Sequence, residues 1–204
     1  MASMPAIPTD LTIVKQQLLD LICTDAYQEG DFVLSSGQKS TYYINGKLVT
    51  LHPKGGQMVG QVVLHYLDNS VVGVGGLTLG ADPIVTAVSV VAAYENRSIT
   101  PLIVRKEAKG HGTRAYIEGP VLPDQSNVVI LEDVVTTGQS AMKAIVRLRA
   151  AGYTVNQVIS LVDRQQGGSE YYAQENIDFQ AVYTISEIQA RWQVLNNLSS
   201  EQSG

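Results

Sequence analysis

The spacing of apolar positions changes from helical to extended and back along the chain, and these changes predict the elements. Leu11, Val14, Leu18, Leu21 and Ile22 recur at helical spacing after Thr9 or Asp10, either of which can serve as N-cap, so a helix is expected to about Gly30. It is expected to pack outside the main sheet. Residues 32–45 read as a hairpin turning at Ser35-Ser36-Gly37-Gln38, with Tyr42, Tyr43 and Ile44 in its second strand. A second helix is expected over about 54–67. Apolar runs at 71–76, 101–105, 128–131, 155–162 and 181–185 then alternate with helical stretches, the rhythm of parallel βαβ units. One of these helices opens at Ala81-Asp82-Pro83 and runs to Tyr94, with proline tolerated in its first turn. The class is α/β.

At 204 residues and 45% hydrophobic, the chain can bury one good core. No linker or internal repeat divides it. It is therefore read as a single domain over 1–204, ordered over about 10–190, with flexible ends at 1–9 and 197–204. A net charge of −5 gives no general attraction to nucleic acid. There is no run of about 18 uncharged apolar residues to span a membrane, and the first nine residues lack the basic start and apolar core of a signal peptide. A soluble cytoplasmic enzyme is expected. Cys23, the single cysteine, sits among Leu18, Leu21 and Ile22 and reads as buried packing. His52 and His65 read as a turn residue and a helix-surface residue, and Trp192 as a packing anchor for the C-terminal segment.

Residues 128–140, VVILEDVVTTGQS, carry the strongest chemical signal. Val128, Val129, Ile130 and Leu131 suit a central parallel strand covered on both faces, which puts Glu132 and Asp133 at its carboxyl end, where open α/β sheets bind ligands. Thr136, Thr137, Gly138, Gln139 and Ser140 then supply amides, hydroxyls and a position without a side chain where a helix begins. Amides and helix dipole together can grip a dianionic phosphate there. Capping alone would account for one of these polar residues and leave the acid pair unexplained. The chain has neither the Gly-Lys-Ser/Thr ending of a Walker A loop nor a Rossmann fingerprint, since Gly73-Val74-Gly75 is followed by Gly76-Leu77-Thr78. Upstream, an otherwise acidic chain gathers Arg105, Lys106, Lys109, His111 and Arg114 in one glycine-rich stretch. Residues 106–120 are expected to be a mobile loop. Such a basic lid could stabilise a polyanionic leaving group and exclude water from it.

Two acids before a Thr-Thr-Gly turn resemble the phosphoribosyl pyrophosphate (PRPP) motif of the type I phosphoribosyltransferases. The lid RKEAKGHGT and the upstream FVLSSGQKSTYYIN narrow the resemblance to the orotate phosphoribosyltransferases, over roughly residues 10–190. It implies a type I phosphoribosyltransferase fold: a central, mostly parallel sheet flanked by helices, with a small N-terminal hood of helix and hairpin. It also implies transfer of 5-phosphoribosyl from PRPP to orotate, giving orotidine 5′-monophosphate and pyrophosphate in de novo UMP synthesis. Mg2+ would enter with the diphosphate, no protein ligand holding it directly. The sites would be shared across a homodimer, each lid reaching its partner's pocket. By the same resemblance Arg105, Lys106, Lys109 and His111 would contact the diphosphate, and Glu132 and Asp133 the ribose hydroxyls. Lys109, Glu132 and Asp133 would be the catalytic residues. The strand end and turn, from Glu132 and Asp133 through Val134, Val135, Thr136, Thr137, Gly138, Gln139 and Ser140, would wrap PRPP. Thr136 and Arg164 would bind orotate, and Tyr43 and Ile44 would flank its ring.

Two departures stand out. Ser35 occupies the place of a hairpin lysine in better-known members, and Gly75-Gly76-Leu77-Thr78-Leu79-Gly80 that of a Tyr-Lys pair. Lys39 is offered as a substitute from the hairpin. The glycine run could bind diphosphate through backbone amides. The alternatives are a phosphoribosyltransferase for another base and a PRPP-sensing regulator. The second would need a basic face or an added helix-turn-helix, which the sequence does not display.

Overall fold

Asp10 caps the first helix, α1 (Leu11–Leu21), its Oδ1 accepting from the Thr12 amide at 2.8 Å. The computed structural model describes residues 10–33, 37, 39–109 and 115–201, with side chains as far as Leu198. Val14 and Leu18 form the buried stripe of α1. The helix stops well short of Gly30: a single π turn, Ile22–Ala26, leads directly into β1 (Tyr27–Val33). Tyr27 causes this early stop. It is buried and stacks on Tyr42 at 5.9 Å, while the antiparallel register with β2 (Lys39–Ile44) pairs it with Ile44. A cross-strand contact thus overrides the local helical period.

After the hairpin come α2 (Lys47–Thr50) and α3 (Pro53–Tyr66), the latter capped by His52, whose Nδ1 accepts from the Gly55 amide at 3.2 Å. The alternating part follows as β3 (Gly73–Leu77), α4 (Asp82–Tyr94) and β4 (Thr100–Val104). A short β5 (Ile117–Glu118) leads to β6 (Val128–Val135) and α5 (Gln139–Ala150). The chain closes with β7 (Gln157–Asp163), α6 (Gly168–Gln174), β8 (Asp178–Thr184) and α7 (Ile185–Glu201). The backbone is helical through Glu201, past Asn197 where a frayed end was expected.

Among the described residues the main sheet has the order β5-β4-β3-β6-β7-β8, all parallel except β5, which runs antiparallel to β4. The chain steps from β3 to β4 on one side and from β6 through β7 to β8 on the other. Strand order therefore reverses between β3 and β6. Alternate residues of β6 serve opposite layers, as strand geometry requires: Val129 and Leu131 join the core with α1, α3 and α4, while Val128 and Ile130 join that with α5 and α6. Each fully buried side chain of this kind contributes roughly 1.5–3 kcal/mol.

The hairpin and α1 are tied to the body through α7. Trp192 meets the Tyr27 ring edge-on at 5.9 Å, and buried Cys23 lies 3.5 Å from the Ile188 carbonyl. Burial pushes the Cys23 thiol up to about 11, so it stays protonated and packs. His65 is exposed on α3.

Candidate active site

The reversal of strand order puts a crevice at the carboxyl ends of β3 and β6. β6 is longer than the apolar run suggested, so Glu132 and Asp133 lie within the strand and not beyond its end. The β3 register covers Val128, Val129 and Ile130, whereas β7 accompanies β6 to Val135. Where β3 leaves off, its following loop crosses the acids. A Cβ on Gly80 would stand 2.4 Å from Asp133 Oδ1, and one on Gly76 would stand 2.4 Å from the Leu131 carbonyl oxygen. The glycine run, read from sequence as a diphosphate cradle, therefore has a packing cause as well: a side chain at Gly76 would push β3, and one at Gly80 the loop after it, off β6.

The two acids have different surroundings. Asp133 faces the hood, where Gly46 leaves room for it and Lys47 brings Nζ to 3.9 Å from Oδ2. Lys47, at the start of α2, is a cation the sequence reading missed, because nothing in the spacing of Asn45-Gly46-Lys47 marks it. Lys39 sits on an exposed position of β2 instead. Glu132 is 7% exposed, and its Oε2 has no hydrogen-bond partner among the described residues. Burial first, then the charge of Asp133, pushes its carboxyl up to about 8, while Lys106 pulls the other way.

Beyond Val134 and Val135 the chain turns through Thr136 and Thr137 to Gly138, the N-cap of α5, at φ 81°. That left-handed conformation suits glycine, and space imposes it too: a Cβ there would stand 2.9 Å from Cζ of Tyr172. A pocket of about 80 Å³ opens over the turn, lined by Glu132, Val134, Val135, Thr136, Thr137, Gly138, Gln139 and Ser140, with Ala141 and Tyr172. The free amides of the first turn of α5 and its dipole favour an anion at this place.

Arg164 leaves the end of β7 and is 8% exposed. It does not pair with its neighbour Asp163, whose Oδ1 accepts from the Gln165 amide at 2.8 Å. Its Nε donates to Tyr42 Oη at 3.1 Å, and the guanidinium lies over that ring at 4.8 Å. Tyr42, not Tyr43, is the hairpin residue at this place. Tyr43 alternates to the outer face, 41% exposed and tilted against Phe32 at 5.6 Å, while Ile44 packs at the margin of the core.

The lid stretch is paired at its base, which the loop expectation did not foresee. Ile103 and Val104 register with Glu118 and Ile117, the Arg105 amide donates to the Tyr116 carbonyl at 2.7 Å, and the Lys109 amide to that of Ala115 at 2.7 Å. Arg147 of α5 secures this ribbon by donating to the carbonyls of Arg105 and Lys106 and lying 4.2 Å over the Tyr116 ring. Arg105 and Lys109 reach Glu118 of the ribbon, at 3.1 and 3.9 Å, and not the acids of β6. Lys106 alone of the described lid cations acts on Glu132. His111 lies outside the described residues, as do Arg114 and Ser35.

A pocket at a helix start, next to two acids of a parallel strand at the switch point of the sheet, with a helix and hairpin packed over it, is the arrangement of a type I phosphoribosyltransferase. Comparison with known proteins narrows it. No protein-family model matches the chain. An orotate phosphoribosyltransferase of Nostoc sp. is 65% identical over 188 residues, 92% of this chain and 91% of that relative. The crystal structure of Mycobacterium tuberculosis H37Rv orotate phosphoribosyltransferase in complex with Fe(III) dicitrate is 32% identical, covering 86% of this chain and 98% of that one at a TM-score of 0.76. The structure of the same enzyme in complex with 5-phospho-alpha-D-ribosyl 1-diphosphate gives 29% identity, 86% and 99% coverage and a TM-score of 0.72. The chain belongs to the orotate phosphoribosyltransferase family.

Proposed function

We infer that this protein transfers the 5-phosphoribosyl group of PRPP to N1 of orotate, a step of de novo UMP synthesis. The C1–oxygen bond to the diphosphate breaks, the N1–C1 bond forms, and pyrophosphate and orotidine 5′-monophosphate leave. The observation that carries the reading is the pocket at Gly138, the N-cap of α5, lined by Glu132 of β6 at the switch point, in a chain of this family. Thr136, Thr137, Gly138, Gln139 and Ser140 would wrap the 5-phosphate, and Glu132 and Asp133 would accept from the ribose hydroxyls. The Asp133 charge would then stand near a carbon that becomes cationic as the bond breaks. Arg105, Lys106, Lys109 and His111 would meet the diphosphate, with Lys109 stabilising the departing charge. Arg164, braced by Tyr42, would hold the orotate carboxylate through two parallel hydrogen bonds, beside Thr136.

Mg2+ belongs to this reading as an ion carried in by the diphosphate, whose charge it would neutralise. Among the described residues no three His, Cys, Asp or Glu side chains cluster as a metal site. A homodimer belongs to it too. Between α3 and α4 runs a groove of about 1000 Å³ on which Leu51, Leu79, Val90 and Tyr94 are 67, 63, 51 and 87% exposed. On its walls Thr50 Oγ1, Gln61 Oε1 and Asp82 Oδ1 have no hydrogen-bond partner among the described residues. A second copy seated there is the reading of this face, and the resemblance would have its lid reach this chain's crevice. Among the described residues no helix is long and apolar enough to cross a membrane, and the reading is of a cytoplasmic enzyme.

The test is loss of orotate absorbance on mixing protein, PRPP, Mg2+ and orotate. No loss with orotate, but turnover with hypoxanthine, would assign the protein to another base.

A further inference from the structure

Tyr172 is fully buried, at 0% exposure, and its hydroxyl has no hydrogen-bond partner among the described residues. A buried hydroxyl without a partner is costly, so such groups ordinarily have a use or a ligand. The ring comes from α6 and is fixed from behind by Phe179, 5.0 Å between centroids, and by Tyr171 at 6.2 Å. Its hydroxyl-bearing Cζ lies 2.9 Å from where a Cβ on Gly138 would stand, directly at the start of α5. Tyr172 also lines the 80 Å³ pocket over that turn, together with Glu132, whose Oε2 is likewise unpartnered.

We propose that the Tyr172 hydroxyl is a phosphate-binding group, donating a hydrogen bond to the phosphoryl oxygen that enters deepest into the pocket at the start of α5. The proposal rests on the phosphate reading of that turn. The start of α5, with its free amides, and Tyr172 line the same pocket. Glu132 lines the pocket as well, and burial favours its uncharged form. The ring's position also explains why only glycine fits at 138: a Cβ there would stand 2.9 and 3.0 Å from Cζ and Cε1 of Tyr172 and displace the ring. Tyr172 is thus a specificity residue for the phosphate end of the substrate, set on an element that the motif of residues 128–140 does not include.

Tyr172→Phe removes the oxygen and keeps the ring. Ribose 5-phosphate, titrated calorimetrically, is expected to bind the variant about tenfold more weakly, the size of one hydrogen bond to a charged group. KM for PRPP should rise with it, while kcat and KM for orotate stay within about twofold and the melting temperature holds or rises, because an unpaired buried hydroxyl is gone. A merely structural role would lower the melting temperature and leave the PRPP-specific effect absent. In the unmodified protein, spectra of tyrosine labelled at Cζ give a second measurement: the Tyr172 signal must shift on adding ribose 5-phosphate. Equal affinity of variant and wild type, no binding by the wild type, or an unmoved Tyr172 signal overturns the proposal. If ribose 5-phosphate binds as expected but orotate is not consumed, the proposal stands and the orotate reading fails.

Discussion

Arg164 and Tyr42 are 122 residues apart in sequence, yet Nε of one donates to Oη of the other at 3.1 Å, with the guanidinium above the ring. Nη2 points on toward Ser40 Oγ at 3.5 Å. Stacking and hydrogen bond together fix the plane of the guanidinium, and a fixed plane is what two parallel hydrogen bonds to a carboxylate require.

Arg164→Ala should therefore weaken orotate binding by on the order of 2–3 kcal/mol, the loss of one bidentate charged contact, and leave PRPP binding nearly intact. Tyr42→Phe, which keeps the ring, should raise KM for orotate only a few-fold. Calorimetry with each ligand separately checks both. Equal weakening for PRPP and orotate would mean that Arg164 only supports the hood.

Asp133→Asn is expected to lower kcat by several kcal/mol of transition-state stabilisation, each ~1.4 being tenfold in rate, with little change in melting temperature. Gly80→Ala should reproduce much of that loss without touching the carboxylate, because its Cβ would stand 2.4 Å from Oδ1. A variant of Asp133 with wild-type kcat would remove this acid from the site.

Glu132 gives a pH prediction. Its folded value of about 8 lies above the ordinary 4.5, so the folded protein binds a proton there that the unfolded chain has lost. Stability from this group is full below 4.5, falls as pH rises, and is gone once pH passes about 8. Glu132→Gln removes the dependence. The variant should melt higher than wild type at pH 8 by an amount equivalent to a few kcal/mol, with the gap closing toward pH 4. Melting curves whose difference does not change with pH would show that Glu132 is not held in its protonated form.

Sharing of the lid between subunits predicts complementation. Lys109→Ala and Asp133→Asn, each nearly inactive alone, should regain activity when refolded together, approaching about one quarter of wild type under statistical mixing with closed twofold symmetry. Half the dimers are then mixed, and each holds one intact site of two. Heterodimers confirmed by mass spectrometry without recovered activity would show that each site is built from one chain.

Local chemistry was legible without the fold. Hydrophobic period marked the parallel strands and α3 and α4 to within a few residues, and the sequence 128–140 marked an anion turn after two acids. Those signals are local because a strand's apolar run and a helix's capping turn depend on neighbours in sequence. Element ends were less legible. The acids were placed at the carboxyl end of a strand closing at Leu131, whereas β7 carries β6 on through Val135, and a pairing partner leaves no trace in the strand's own residues. Likewise α1 gives way at Ile22 because Tyr27 stacks on Tyr42. The short β5, α2, α6 and the long α7 had no clear period of their own and are held by what they pack against.

The residue types able to grip phosphate, ribose and carboxylate were thus determined by the sequence itself, since a turn rich in amides and hydroxyls binds anions wherever it is placed. Which side chains join them was decided only by the tertiary structure. Lys47, Tyr42, Tyr172 and Arg147 come from α2, the hairpin, α6 and α5, and the β3 loop lies on Asp133 because Gly76 and Gly80 let it. Burial decided the rest. Glu132 and Asp133 are chemically alike and adjacent, but enclosure beside Tyr172 raises one carboxyl while Lys47 faces the other, a difference that arises from solvent exclusion and not from the order of residues.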